Sequence, residues 1–391
     1  MKYDFDKIID RRDTDSIKWD FAVEFGLPAD VLPLWVADMD IPTAPAVTEA
    51  LVQRARHGIF GYSDVKGEYF EAVRAWFSSR HGLEVKSDWL VKTSGVVFAL
   101  YNAVRAATEK GDAVLIQPPV YHPFYKAIED NGRRVVLNEL IYENGAYSID
   151  FEDFERKIVT ENVKLFILCS PHNPIGRVWT REELKRLGDI SSRHSVTVVS
   201  DEIHCDFTLS GYTHVPFLNA CPGMAERTIL CTAPSKTFNV AGLQCSNIFI
   251  PGEELREAFK REVSLTGFSG INSMGLSACR AAYEGGADWL DELLVYLEGN
   301  LGFVRSYLSS ELPEIKLVEP QGTYFAWLDF SALGLSDEAL NDLIVNKAKL
   351  WLDAGNIFGK SGEGFQRVVL ACPRKTLAEA MERLKGAVRS L

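Results

Sequence analysis

The sequence predicts an α/β protein with a mostly parallel sheet flanked by helices in a large domain, plus a smaller α+β domain. Three observations lead there. Seven short apolar segments recur between residues 89 and 250. Several, such as Leu165-Phe166-Ile167-Leu168-Cys169, lack polar alternation, which suits strands buried on both faces of a parallel sheet. Helical stretches separate them, and strand–helix alternation implies βαβ units. The length, 391 residues, exceeds a typical domain of about 100–200.

The first fifty residues are irregular and carry acidic clusters, then Trp35-Val36-Ala37-Asp38-Met39-Asp40-Ile41-Pro42. Strands are expected at 89–93, 113–117, 134–137, 164–169, 196–200, 228–232 and 246–250. One intervening helix has a readable start. Thr180-Arg181-Glu182-Glu183 is a capping box, with Trp179 and Leu184 placed as a hydrophobic staple. After Gly270 the pattern changes. Helices are expected at about 271–284, 287–311 and 336–348, and strands at 323–328 and 366–371. A final helix is expected to open on a second capping box, Thr376-Leu377-Ala378-Glu379, with Leu377, Met381, Leu384 and Val388 as its apolar stripe. The resulting division is an N-terminal arm (1–49) that joins the small domain, a large domain (50–285) and a small C-terminal domain (286–391).

Composition excludes several classes. Hydrophobic content of 47% and charged content of 25% are globular values, not those of a disordered chain. A net charge of −12 offers no footprint for a phosphate backbone, so no nucleic-acid partner is expected. Seven scattered cysteines without a C-x-x-C pair suit buried thiols in a reducing compartment. The charged N-terminus lacks the apolar stretch of a signal peptide, and no run reaches the roughly 18–20 residues of a membrane span. A cytoplasmic enzyme with no membrane partner is expected.

Two local motifs mislead. Ala354 through Ser361 nearly matches a phosphate-binding Walker loop, but a strand follows where that loop needs a helix. Glu202, His204 and Asp206 have the look of metal ligands, yet solvated or paired side chains at a strand end explain them better, and no metal is expected.

Four segments at expected strand ends carry chemistry, where open α/β sheets place their ligands. Thr93-Ser94-Gly95-Val96-Val97 lies between a strand and a helix, where glycine lets backbone N–H groups approach a phosphate. In Ser170-Pro171-His172-Asn173-Pro174-Ile175-Gly176, two prolines bracket Asn173. Ser200-Asp201-Glu202-Ile203-His204 closes a hydrophobic strand, and its carboxylate needs a partner. Lys236, in Ala233-Pro234-Ser235-Lys236-Thr237-Phe238-Asn239, sits among apolar and hydroxyl residues, where desolvation makes a lysine nucleophilic. A lysine that forms an imine, an aspartate for a protonated ring nitrogen, an asparagine for a ring hydroxyl and amides for a phosphate together match what pyridoxal phosphate asks of a protein.

The order N-P-x-G, S-D-E-I-H and S-K-T-F-N-x-A-G resembles the fold-type-I pyridoxal-phosphate enzymes of the class I/II aminotransferase superfamily. Within it, the chain most resembles the MalY/PatB type of cystathionine β-lyases, or C–S lyases. The resemblance extends to Lys18-Trp19-Asp20, the Trp35–Asp40 run, Gly61-Tyr62, Gly322-Thr323-Tyr324 and Arg367 through Pro373. It implies that Lys236 carries the cofactor and moves the Cα proton. Asp201 would pair with the ring nitrogen, Asn173 would bind the ring hydroxyl, Tyr121 would stack on the ring, and His204 would lie against the cofactor. The amides of Val96 and Val97, with Ser235, would hold the phosphate, joined by Tyr62 from the other subunit of a homodimer. Arg367 would clamp the substrate α-carboxylate beside Asn173 and the Ala37 backbone.

The same resemblance separates elimination from transamination. Aminotransferases of this fold usually carry tyrosine three residues after the ring-nitrogen aspartate and arginine eight residues after the lysine. This chain has His204 and Gln244. Both departures match the lyase subgroup, which implies cleavage of L-cystathionine or related cysteine thioethers to a thiol, pyruvate and ammonia. The alternatives are an aminotransferase and a cofactor-holding regulatory protein. Ile41 stands where the subgroup often has phenylalanine, and is expected to reshape the substrate mouth.

Overall fold

A computed structural model describes residues 2–391. A seven-stranded sheet forms from β1 (Leu90–Thr93), β2 (Ala113–Ile116), β3 (Arg134–Leu137), β4 (Val163–Cys169), β5 (Thr197–Asp201), β6 (Thr228–Thr232) and β7 (Ser246–Phe249). Their spatial order is β1-β7-β6-β5-β4-β2-β3. Every strand runs the same way except β7, which pairs antiparallel with both β1 and β6. The C-terminal ends of six strands therefore share one edge. All seven expected strands form within a residue or two of their expected bounds.

The apolar runs are strands because helices cover both faces. Phe166 and Leu168 of β4 belong to one buried cluster, whereas Leu165 and Ile167 belong to another on the opposite face. Helix α1 (Val96–Ala107) follows β1, and α2 (Arg181–Arg193) follows β4. At α2 both bonds of the capping box are made: Glu183 N–H donates to Thr180 Oγ1 (3.1 Å), and Thr180 N–H to Glu183 Oε2 (2.8 Å). Trp179 and Leu184, the expected staple, are both buried. The short helix α3 (Pro234–Thr237) follows β6.

The long helix α4 (Ala287–Glu311) leads to a second sheet. Its strands are β8 (Lys316–Val318), β9 (Phe325–Asp329), β10 (Asp353–Ala354) and β11 (Phe365–Val369), ordered β8-β9-β11-β10 and antiparallel throughout. The N-terminal arm joins this region: Leu32–Pro33 pairs in parallel with Leu350–Trp351. The stretch expected as a helix at 336–348 begins as an α-helix over Asp337–Asp342 and widens into a π-type turn over Leu343–Lys347.

The last helix, α5 (Arg374–Val388), corrects one expectation. It opens at Pro373, and no side chain caps it, so Thr376 lies inside the first turn rather than ahead of it. Pro373 (φ −53°, ψ 140°) is the N-cap and needs no N–H partner, and its carbonyl accepts from the Thr376 and Leu377 N–H groups, which puts the start upstream of the apparent box. The stripe itself stands: Leu377, Met381, Leu384 and Val388 are buried. The near-Walker segment forms two short 3₁₀ turns before β11, without a helix to hold a phosphate. No helix among the described residues is long and apolar enough to cross a membrane.

Candidate active site

Asp201 is the last residue of β5, and its carboxylate is fully buried. Burial pushes it up to about 7, which outweighs the N–H of Ile203 that donates to Oδ1 at 3.2 Å. Lys236 rises from α3, one strand over. Burial pulls its ammonium down to about 8, and Nζ donates to the Ala37 carbonyl at 2.8 Å. Lys236 and Asp201 line the same cavity at the C-terminal edge of the sheet.

The cavity gathers most of the residues singled out from the sequence. Ala37, Val96, Val97, Tyr121, Asn173, Ser235 and His204 all line it with Asp201 and Lys236. Along one wall of the cavity, α1 begins after Gly95, whose φ of +153° is a conformation that side chains rarely adopt. No side chain caps α1, so its first N–H groups face the cavity beside Ser94, Ser235 and Gln244. Burial pushes the Tyr121 phenol up to about 12. Burial also holds His204 well below its usual range, reinforced by the charges of Lys236 and Arg367, so its ring is neutral. His204 packs against the rings of Tyr324 and Phe325, and its Nδ1 has no hydrogen-bond partner among the described residues.

Arg367 comes from the other sheet, on β11. Its Nη1 donates to Asn173 Oδ1 at 2.8 Å, which ties the two sheets together at the site. Nη2 donates to the Trp35 carbonyl at 2.8 Å and ion-pairs with Asp353. The guanidinium lies over the rings of Phe325 (4.3 Å) and Phe358 (5.1 Å). The Ala37 carbonyl accepts from Lys236 and from the Tyr324 hydroxyl (3.0 Å), and Trp35 supplies the carbonyl on Arg367.

Three further positions are fixed by their surroundings. Ile41 is buried in the core and lines a separate groove near Arg11 and Asp38, not the lysine cavity, because Asn239 pins its backbone carbonyl (2.9 Å). Glu202, His204 and Asp206 do not converge. Glu202 accepts from Ser200, His214 and the Phe217 N–H. Asp206 accepts from Thr237 Oγ1 (2.6 Å) and Trp76 Nε1 (3.2 Å), and His81 Nε2 lies 2.8 Å from it. Tyr62 is outside the cavity, with its side chain wholly exposed near Phe60, Lys92 and Phe268.

Sequence reasoning missed Asp353, the Trp35 carbonyl as the acceptor that orients Arg367, and the wall formed by Cys169, Ile203 and Cys245. Asp353 sits in an unremarkable stretch, and only the register that sets it opposite Arg367 reveals it.

The aminotransferase class I and II family matches residues 29–384. The chain belongs to that family. Along 384 residues it is 47% identical to cystathionine beta-lyase PatB of Bacillus subtilis, covering 98% of this chain and 99% of that one. It is 36% identical to protein MalY of Escherichia coli over the full length of both. Among solved structures, it matches cystalysin of Treponema denticola, which contains pyridoxal 5'-phosphate, with a TM-score of 0.96 and 38% identity over the whole of both chains. A pyridoxal-phosphate-bound C–S lyase from Staphylococcus hominis matches with a TM-score of 0.93 and 36% identity, covering 99% of this chain and 98% of that one. These likenesses span both sheets and the N-terminal arm, so the fold is that of fold-type-I pyridoxal-phosphate enzymes.

Proposed function

We propose that this family member is a pyridoxal-phosphate-dependent C–S β-lyase. It converts L-cystathionine or a related cysteine thioether, with water, into a thiol, pyruvate and ammonia. The carrying observation is the convergence of a desolvated Lys236 and a buried Asp201 in one cavity, within a chain that matches lyases end to end.

The residues fit the cofactor on their own terms. Asp201 is a buried carboxylate whose one hydrogen bond among the described residues comes from a backbone N–H. A protonated ring nitrogen would supply the counter-charge that it lacks. Ser94, Ser235, Gln244 and the first N–H groups of α1 form a neutral donor cradle suited to a phosphate. Pyridoxal phosphate, when bound, supplies an electron sink for charge that develops at Cα.

The chain's own groups do the rest. Lys236 Nζ, pulled down to about 8 by burial, loses its proton far more easily than a free lysine, so it could hold the cofactor covalently and, once the substrate amine displaces it, accept the Cα proton. Asp201 stays charged against the ring nitrogen and favours electron withdrawal. Arg367, held by Asn173 and the Trp35 carbonyl, presents a cation to the substrate α-carboxylate. When the Cβ–S bond breaks, its electron pair leaves with sulfur, which takes a proton to become the thiol. Neutral His204 fits beside the ring in place of the tyrosine that aminotransferases carry, and Gln244 replaces their arginine. Both changes, with the lyase relatives, favour elimination.

The reading also includes a homodimer in which Tyr62 reaches the partner's phosphate, and a cytoplasmic location. The exposure of Tyr62 away from its own cavity supports the first. It divides the chain into 1–49, 50–285 and 286–391, supported by the seven-stranded sheet lying within the second span, the four-stranded sheet within the third, and the arm pairing with the third. The test is to offer thioether amino acids and 2-oxo acids and to measure pyruvate, ammonia and new amino acids. Pyruvate with stoichiometric ammonia is expected. Amino-group transfer without either product overturns the lyase reading.

A further inference from the structure

Asp353 and Arg367 face each other across the β10–β11 ladder, and the Asp353 carboxylate ion-pairs with Nη2 of Arg367. Both side chains are almost entirely buried, at 11% and 4% exposed. A guanidinium grips a carboxylate in two-pronged fashion through Nη2 together with either Nε or Nη1. Every such grip uses Nη2. Here both Nη2 hydrogens are taken, one by the Trp35 carbonyl and one by Asp353. Meanwhile Nε is buried and has no partner among the described residues. The guanidinium thus holds an internal carboxylate on an edge that an incoming one needs.

We propose that Asp353 is a built-in competitor for Arg367. In the free enzyme it occupies the place of the substrate α-carboxylate, and substrate capture displaces it and transfers a proton from solvent onto it. This rests on the reading of Arg367 as the carboxylate clamp.

Two carboxylates on one buried guanidinium leave an uncompensated negative charge, which is costly away from water. One proton on Asp353 removes it. The site already leans that way, since burial raises Asp353 against the opposing charge of Arg367. The other titratable groups facing the pair cannot serve as well. Tyr121 is held protonated, pushed up to about 12 by burial. His122 is pulled below its usual range by burial and by Arg367. Asp353 is therefore a positioning and affinity-setting residue: it orders Arg367 before substrate arrives and weakens the grip afterwards.

The test uses the holoenzyme and 3-(methylthio)propionate, a thioether acid without an amino group, so that it reports on the clamp and not on Lys236. Calorimetric binding in two buffers of different ionisation heat should show about one proton taken up per probe bound. Affinity should weaken by up to tenfold per unit as pH rises through the range where Asp353 is ionised. Asp353→Asn, which keeps shape and one acceptor, should bind the probe about tenfold more tightly, a gain of 1.4 kcal/mol, with a flat pH profile and no proton uptake. For a thioether amino acid, KM should fall by more than kcat changes. No proton uptake by the parent enzyme, or weaker binding by Asp353→Asn, overturns the proposal. Arg367→Met separates the two readings. If it leaves probe affinity unchanged, the clamp assignment itself fails. If it abolishes binding while the parent takes up no proton, the clamp stands and the displacement fails.

Discussion

Asp201 and Lys236 are both fully enclosed, and burial acts on each by disfavouring its charge. Asp201 moves up from 3.8 to about 7, and Lys236 moves down from 10.5 to about 8. For Asp201 the raised value stabilises the cofactor-free fold fully only below about pH 4. That contribution is lost as pH rises through 7, and it amounts to roughly 4 kcal/mol for about three pKa units. Asp201→Asn in the cofactor-free protein should therefore gain Tm over the parent at pH 8 and gain little at pH 4. Thermal melts at the two pH values check this, and equal gains at both would contradict it. In the loaded enzyme the same variant should lose most of its kcat, since the ring nitrogen loses its anion. Lys236 has its own signature. Borohydride should fix the cofactor to the parent protein, with the mapped label on Lys236, and Lys236→Ala should take up none.

Two short elements hold the site, and each depends on side-chain anchors. Helix α3 spans four residues, too few to be stable alone, yet it carries Lys236. Its anchor is the next residue: Thr237 Oγ1 donates to buried Asp206, which His81 and Trp76 also engage. Burial pushes Asp206 up, but the His81 and Thr237 contacts hold it below its ordinary range, so it stays an acceptor. Thr237→Val keeps the shape and removes the donor. It should cost about 1–3 kcal/mol in urea unfolding, and Thr237→Ser should restore most of that. Helix α2 is tied by the Thr180–Glu183 box, so Thr180→Ala should cost about 1 kcal/mol by the same measurement. Full stability in either variant would show that tertiary packing alone holds its helix.

At the scale of the whole molecule, the site lies where two sheets meet, and one predicted contributor is absent from its own cavity. Ile59, Phe60 and Tyr62 form an exposed apolar run beside the groove lined by Lys92 and Phe268. Such a run suits the proposed contact face. In the proposed two-fold dimer each cavity would borrow one Tyr62. Lys236→Ala and Tyr62→Ala homodimers should each lose activity. Subunit exchange should then restore one intact site per mixed dimer, with activity above the sum of the parents. Verified mixed dimers without recovery would place Tyr62 in service of its own chain.

The sequence alone determined the seven strands of the large sheet, because an unbroken apolar run such as Leu165–Cys169 can be buried only between two covering layers. It also marked Lys236, Asp201 and Asn173, since their chemistry lies in short runs beside strand ends, whereas Arg367, in mid-strand, was marked only by the family resemblance. Local signals failed where neighbours distant in the chain decide. Thr376 reads as a cap, but Pro373 starts the helix first. The tertiary structure alone set Trp35 and Asp353 on Arg367, 332 and 14 residues away in sequence. Strand register and chain crossing create those contacts, and neither leaves a periodic or compositional trace in the chain.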